Sequence, residues 1–310
     1  MSNGSEYRIE KELIRGHFGK YPDSFEKKFK GFINNVFIFS VDGKQMVLRT
    51  NHDSNILKGF SCHHAVLSSL NIPVPNILIE DCSATRYPFA YLILSFIEGN
   101  ELRDCIVDLP KNDIDAIAHE IASIQKKVMG ISSQTAGFGR SILLGKDLCD
   151  KTWHAYICNT IERRMHRLQE IKEEANEEIL KSAQQLWNEV ISMKELFDAP
   201  QQCFFLDDLT DKNFIVSHGS IAAIIDLDHI AYGDPRQLLG KIQSIWPRPG
   251  TKGHEYFMTM LHTFGYDGGE HTRIIALYAL VELLGELSVN LFSKNAIDSF
   301  LFLSKEHLGQ

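Results

Sequence analysis

Apolar positions alternate with a period of two in some stretches of this chain and recur every three or four residues in others, and each change of period marks an element. Two β-rich runs, Val36-Phe37-Ile38-Phe39-Ser40-Val41 and Lys44-Gln45-Met46-Val47-Leu48-Arg49, flank Asp42-Gly43. A β-hairpin is expected there, because Asp-Gly tolerates the positive φ angles that a tight turn between twisted strands demands. Over 55–70 the spacing becomes helical, with Leu57, Phe60, His64, Leu67 and Leu70 on one side, until Pro73 and Pro75 break it. Two more strands are predicted at 76–80 and 90–96. Glu98-Gly99-Asn100 then punctuates the chain and is the candidate boundary between two lobes. Ahead of the hairpin, residues 1–30 carry Tyr7, Leu13, Ile14, Phe18, Phe25 and Phe29 at irregular helical spacing, which suggests a helix or two.

Beyond the boundary the pattern is helical. Ile114, Ile117, Ile121 and Ile124 recur at three and four over 113–128. The stretch 151–197 repeats the signature, with Trp153, Ile157, Ile161, Leu168 and Ile171, then Leu180, Leu186, Trp187 and Val190, as its buried stripe and a charge-rich solvated face over 162–178. Three short apolar runs at 203–206, 214–216 and 222–225 are separated by acidic turns, and the helical pattern resumes at 238. The organisation is α+β: a small β-rich lobe over 1–97, then a larger helical lobe over 98–310 with a β-and-acid island inside it.

Composition narrows the class without naming it. A chain of 310 residues with 44% hydrophobic and 23% charged residues has material for two lobes and excludes a collagenous or largely disordered protein. Lys and Arg number 32 against 40 Asp and Glu, a net charge of −8, so nucleic acid is not an expected partner and a neutral or cationic small molecule is. The six cysteines form no CxxC pair and read as reduced thiols, the N-terminus lacks the apolar run of a signal peptide, and no apolar stretch approaches the length of a membrane span; a cytoplasmic location is expected.

The acidic island is where chemistry is expected. Asp208 and Asn213 stand in the spacing D-x-x-x-x-N directly before an apolar strand, and Ile224-Ile225-Asp226-Leu227-Asp228 places a second acid at the end of another. Phosphoryl transfer needs such a set: a carboxylate to orient the attacking hydroxyl and take its proton, and oxygen ligands for Mg²⁺. Each residue alone also has an ordinary reading as a turn former.

Taken in order, the segments resemble those of the aminoglycoside phosphotransferase and choline kinase group of small-molecule kinases, over roughly residues 30–245. The family's His-Gly-Asp-Leu-His-Pro-Gly-Asn loop is matched by Leu206-Asp207-Asp208-Leu209-Thr210-Asp211-Lys212-Asn213, its Ile-Asp-Trp-Glu by Ile225-Asp226-Leu227-Asp228, and its Gly-Asp-Pro by Gly233-Asp234-Pro235. Upstream, Gly31-Phe32-Ile33-Asn34-Asn35-Val36-Phe37 is similar to its nucleotide loop, Ile72-Pro73-Val74-Pro75 to its Val-Pro-Val-Pro, and Leu92 to Gly99 to its hinge. The resemblance implies a protein-kinase-like two-lobed fold with a nucleotide-binding lobe at 1–97 and a catalytic and substrate lobe at 98–310. It implies Asp208 as catalytic base, Asn213 and Asp226 as Mg²⁺ ligands, and Gly31, Asn34, Arg49, Ser95 and Ile97 as contacts to ATP or GTP.

The departures from the family pattern are specific. His63 stands where a helix Glu usually partners the strand cation, here Arg49; it is either a neutral hydrogen-bonding partner of Arg49 or a helix-surface histidine. Leu206-Asp207 replace His-Gly, Gln125 replaces a frequent His, and Leu238 replaces an Asp. Two activities follow: transfer of a γ-phosphate to a hydroxyl of a small, aminoglycoside-like or otherwise cationic acceptor, or ligand binding by a kinase fold with weak or no transfer. Choline, homoserine or a sugar are further acceptors. Glu255, Asp267, Glu270, Glu282 and Glu286 on the later helices suit a cationic one.

Overall fold

The computed structural model describes residues 7–28, 34–132, 134–170, 177–198, 202–289 and 293–308; Gly31, Phe29 and Ile171 lie outside them. The chain divides into two compact units, Met1–Glu98 with Ala222–Asp228, and Gly99–Ile221 with His229–Gln310.

In the first unit, α1 (Arg8–Phe18) is followed by β1 (Ser24–Lys28), β2 (Asn35–Val41) and β3 (Lys44–Asn51), then α2 (Ser54–Ser69), β4 (Ile77–Asp81) and β5 (Ala90–Ser95). The strands form one antiparallel sheet in the order β1-β2-β3-β5-β4. The Asp-Gly hairpin is present, with Asp42 at φ 52° and Gly43 at φ 72° and Val41 opposite Lys44. The helical expectation for 1–30 holds for α1 and fails at β1, where Phe25 faces Phe39 across the β1–β2 pair and stacks on Phe37. One apolar side chain in Ser-Phe-Glu-Lys-Lys gives no period to read; pairing with β2 decides it. Alternation along β3 sends Met46 and Leu48 into a core with Leu13 and Ile14 of α1, and turns Arg49 to the opposite face.

The second unit begins with β6 (Asn100–Glu101), α3 (Leu102–Cys105), α4 (Lys111–Met129), β7 (Gly139–Ser141) and α5 (Trp153–Glu170). It continues through α6 (Glu177–Ser192), α7 (Lys194–Asp198), β8 (Cys203–Phe205), β9 (Phe214–Ser217), β10 (Ser220–Ile224) and β11 (Ile230–Gly233), and ends in α8 (Arg236–Ile245), α9 (Lys252–Phe264), α10 (Gly269–Leu287) and α11 (Lys294–His307). β10 carries the chain into the first unit, and β11 pairs antiparallel with both β7 and β8. The core gathers Trp153, Ile157 and Ile161 of α5, Leu186 and Val190 of α6, and the all-apolar middle of α10. On α6 the buried stripe is Ile179, Ala183, Leu186 and Val190, with Leu180 and Trp187 only half-buried. Among the described residues no helix is long and apolar enough to cross a membrane.

Candidate active site

Asp208 lies in the loop between β8 and β9, and the loop is held from several sides. Its backbone carbonyl accepts from the Asn213 side chain (2.6 Å) and from the Thr210 amide (2.8 Å). From α4, the buried amide of Gln125 grips Leu206 at both backbone groups, accepting from its N–H at 3.0 Å and donating to its carbonyl at 3.5 Å. The His-to-Gln and His-to-Leu departures are therefore one arrangement: a side-chain amide holds the backbone two residues before the carboxylate. Asp207, in place of a family glycine, is 2% exposed and pairs with Arg140 of β7 at 2.6 Å. Among the described residues it is not one with positive φ, so the position does not require glycine.

The carboxylate of Asp208 meets Lys241 of α8, Nζ to Oδ1 at 3.0 Å, with side chains 26% and 20% exposed. Burial pushes the Asp208 carboxyl up, but Lys241, then Lys212 and Arg140, outweigh it and hold its pKa at about 2. Burial likewise pulls Lys241 down, while Asp208 and Glu282 more than offset that and keep it charged. Glu282 also lies 3.8 Å from Arg164 and accepts from Gln237 at 3.3 Å. α8 itself is fixed at its start: Asp234, fully buried, accepts from the Arg236 amide (2.9 Å) and guanidinium and from the Tyr278 hydroxyl (2.7 Å), which in turn accepts from the Trp153 indole at 2.6 Å. Beside Arg140 opens a cavity of about 490 Å³, lined by Gly139, Tyr156, Asn159, Glu162 and Arg163 among others. Burial and Asp207 push the Tyr156 hydroxyl up to about 12, leaving it a hydrogen-bond donor at neutral pH.

The first unit gathers the other set. Arg49 is 6% exposed, so it is not a solvent-facing strand residue. Its Nη2 lies 2.9 Å from both carboxylate oxygens of Asp228 and 3.3 Å from Oδ1 of Asp226, and Nη1 donates to the Ile225 carbonyl at 3.1 Å. Phe60 of α2 presents its ring 4.9 Å from the guanidinium carbon. Asn34 donates to Asp228 (2.6 Å) and accepts from Asn51 (2.8 Å), so both ends of its amide are engaged. His63 is fully buried and donates from Nδ1 to the Leu227 carbonyl at 2.7 Å, which corrects the helix-surface reading. Ser95 closes β5, with its hydroxyl accepting from the Asn76 amide at 2.9 Å, and Ile97 follows it, half-buried and outside any regular element.

Asp208 and Asn213 thus stand together in the second unit, and Asn34, Arg49 and Asp226 in the first. Sequence reasoning missed Lys241, Arg140 and the pairing of Arg49 with Asp228. Lys241, a cation in the middle of α8 between Gly240 and Ile242, was the one signal for itself; nothing local marks the others.

A sheet-based unit carrying a buried cation and a helical unit carrying a D-x-x-x-x-N loop define a kinase-like phosphotransferase fold, and comparison with known proteins agrees. Residues 28–270 match the model of the phosphotransferase enzyme family, and the chain belongs to that family. Among solved structures, aminoglycoside phosphotransferase APH(4)-Ia is 18% identical over 97% of each chain, with a TM-score of 0.74. A thermostable mutant of it in ternary complex with AMP-PNP and hygromycin B is 20% identical over 96% of this chain and 97% of that one, with a TM-score of 0.73. Aminoglycoside phosphotransferase APH(2'')-Ib, ADP-bound, is 12% identical over 96% and 98%, with a TM-score of 0.68. At these identities the likeness is one of fold. No curated protein matches the chain.

Proposed function

We propose that this protein transfers the γ-phosphoryl group of ATP to a hydroxyl of a small molecule, with Asp208 as the catalytic base. The observation that carries this reading is the placing of Asp208: a partly exposed carboxylate, 3.0 Å from Lys241, on a loop hydrogen-bonded by Gln125 and Asn213. As the acceptor oxygen attacks the γ-phosphorus and the bond to the β-phosphate bridging oxygen breaks, the carboxylate orients the hydroxyl and takes its proton. A group this acidic is a weak base, which suits a loose transition state in which the proton leaves late. ATP is favoured as donor because solved relatives in fold hold AMP-PNP or ADP; GTP is the alternative. Arg49, Asn34, Ser95 and Ile97, with Gly31 outside the described residues, are the proposed nucleotide contacts.

Asn213 and Asp226 are the proposed Mg²⁺ ligands. Asn213 spends its Nδ2 on the loop and keeps Oδ1; Asp226 spends Oδ1 on Arg49 and keeps Oδ2, so each retains one hard oxygen donor of the kind Mg²⁺ takes. When bound, Mg²⁺ would neutralise charge on the phosphates.

The acceptor is proposed to be a small polyhydroxylated cation of aminoglycoside type, supported by the fold relatives and the chain's net charge of −8. The cavity beside Arg140 has room and mixed charge for such a molecule. A cytoplasmic location belongs to the same proposal. A panel of aminoglycosides, choline, ethanolamine, homoserine and sugars, each tested for ADP formation from Mg²⁺-ATP and GDP formation from Mg²⁺-GTP, tests the reading. Acceptor-dependent turnover lost in Asp208→Asn supports it, and nucleotide binding with no turnover on any acceptor favours a kinase-fold binding protein.

A further inference from the structure

Arg49 is a buried cation, and a buried guanidinium without a fixed anion costs several kcal/mol. The family resemblance assigns that anion to a carboxylate on the helix after the hairpin. Here the position holds His63, whose Nδ1–H is committed to the Leu227 carbonyl; neutral or protonated, an imidazole supplies no negative charge. The negative charge comes from the other side. Asp228 is 5% exposed and takes Nη2 of Arg49 on both oxygens at 2.9 Å, a closer hold than the 3.3 Å contact to the more exposed Asp226. Asp228 is itself fixed: Asn34 donates to its Oδ2 at 2.6 Å, and His63 holds the carbonyl of the residue before it. The helix and the loop have exchanged tasks, with the helix residue tethering the loop and the loop residue neutralising the cation.

We infer that Asp228 is the positioning residue of Arg49, holding its guanidinium in the orientation that receives nucleotide phosphates. The inference rests on the nucleotide-binding reading of Arg49 given above. It distinguishes Asp228 from Asp226, which is left to the metal, and it explains how a kinase fold dispenses with the helix acid.

The test is calorimetric binding of ADP to the full chain, in EDTA and in Mg²⁺, for the wild type, Asp228→Asn, Arg49→Ala and the double variant. Without Mg²⁺, Asp228→Asn is expected to weaken ADP about tenfold, Arg49→Ala at least as much, and the double variant no more than about twofold beyond Arg49→Ala alone. Unchanged or tighter binding in Asp228→Asn, losses that simply add, or a loss seen only with Mg²⁺ each overturn the assignment; the last would make Asp228 a metal ligand. A merely structural Asp228 would lower the melting temperature and leave ADP affinity of the folded protein intact, which also overturns it. If Asp228→Asn does not fold, Arg49→Lys serves instead: it keeps the charge and loses the Nη2 group that both oxygens of Asp228 hold, so weakened Mg²⁺-free binding supports the inference and unchanged binding overturns it. Absence of ADP and ATP binding to the wild type under both conditions overturns the nucleotide reading of Arg49 and this inference with it. Wild-type binding with an unaffected Asp228→Asn removes only the assignment of Asp228.

Discussion

Asp208 shows how far one side chain's behaviour depends on neighbours remote in sequence. Replacing it with Asn is expected to lower kcat by about 10²- to 10⁴-fold while nucleotide affinity changes little, measured as steady-state turnover beside direct nucleotide binding. Its pH behaviour is set by Lys241. With the folded carboxyl held at about 2, below its ordinary value, kcat/KM should show no acid limb from Asp208 between pH 4 and 8. Lys241→Met removes the largest of the lowering influences and leaves only Lys212 and Arg140 to oppose burial, so the acid limb should shift upward toward that range. The linkage has the same sign: a depressed folded pKa contributes stability that is present above the unfolded value and lost as pH falls toward 2, on the order of 2 kcal/mol here. Urea denaturation of wild type and Lys241→Met at pH 7 and pH 3 should show the variant's deficit shrinking on acidification.

Helices deliver these side chains, and their packing leaves little slack. α8 crosses α10 at Gly240, where an added Cβ would stand 2.3 Å from Cβ of Tyr278 and 2.8 Å from the Ile275 carbonyl oxygen. Gly240→Ala must separate the two helices, at about 1 to 3 kcal/mol by analogy with overpacked cores, and because α8 carries Lys241 it should also reduce kcat. A variant that loses stability but keeps full turnover would show that α8 adjusts without moving Lys241. α4 acts through Gln125. Gln125→Ala strands two buried backbone groups of Leu206, an expected loss of about 1 to 3 kcal/mol per group left unsatisfied, read as a lower urea midpoint at unchanged slope. The periodicity of α4 was plain from Ile114, Ile117, Ile121 and Ile124, all buried; that Gln125 on the same helix holds the Asp208 loop was not, because its partners are backbone groups 81 residues away.

For the molecule as a whole, the proposed ligands predict metal-dependent stabilisation. ATP at about 100 times its Kd, with Mg²⁺, should stabilise the fold by about 2.7 kcal/mol, a melting shift of a few degrees for a chain of this size, and Asp226→Ala should remove the Mg²⁺-dependent part. A shift indifferent to Mg²⁺ in the unmutated protein would leave Asp226 and Asn213 without their proposed role. The net charge of −8 adds a second expectation: raising salt to about 0.5 M should raise KM for a cationic acceptor more than for a neutral analogue, through screening. By itself the sequence determined the hairpin at Asp42-Gly43, the helical periods, the order of the motifs and the placing of Asp208 and Asn213 on one loop. All of these rest on propensity, turn chemistry and spacing, which act over a few residues. Tertiary structure alone decided that β1 is a strand, that Lys241 neutralises Asp208, that Gln125 holds Leu206, and that Arg49 turns to Asp228 instead of His63. A buried charge takes whichever opposite charge the fold brings within hydrogen-bond reach, and for Arg49 that partner lies 179 residues away, beyond any local pattern.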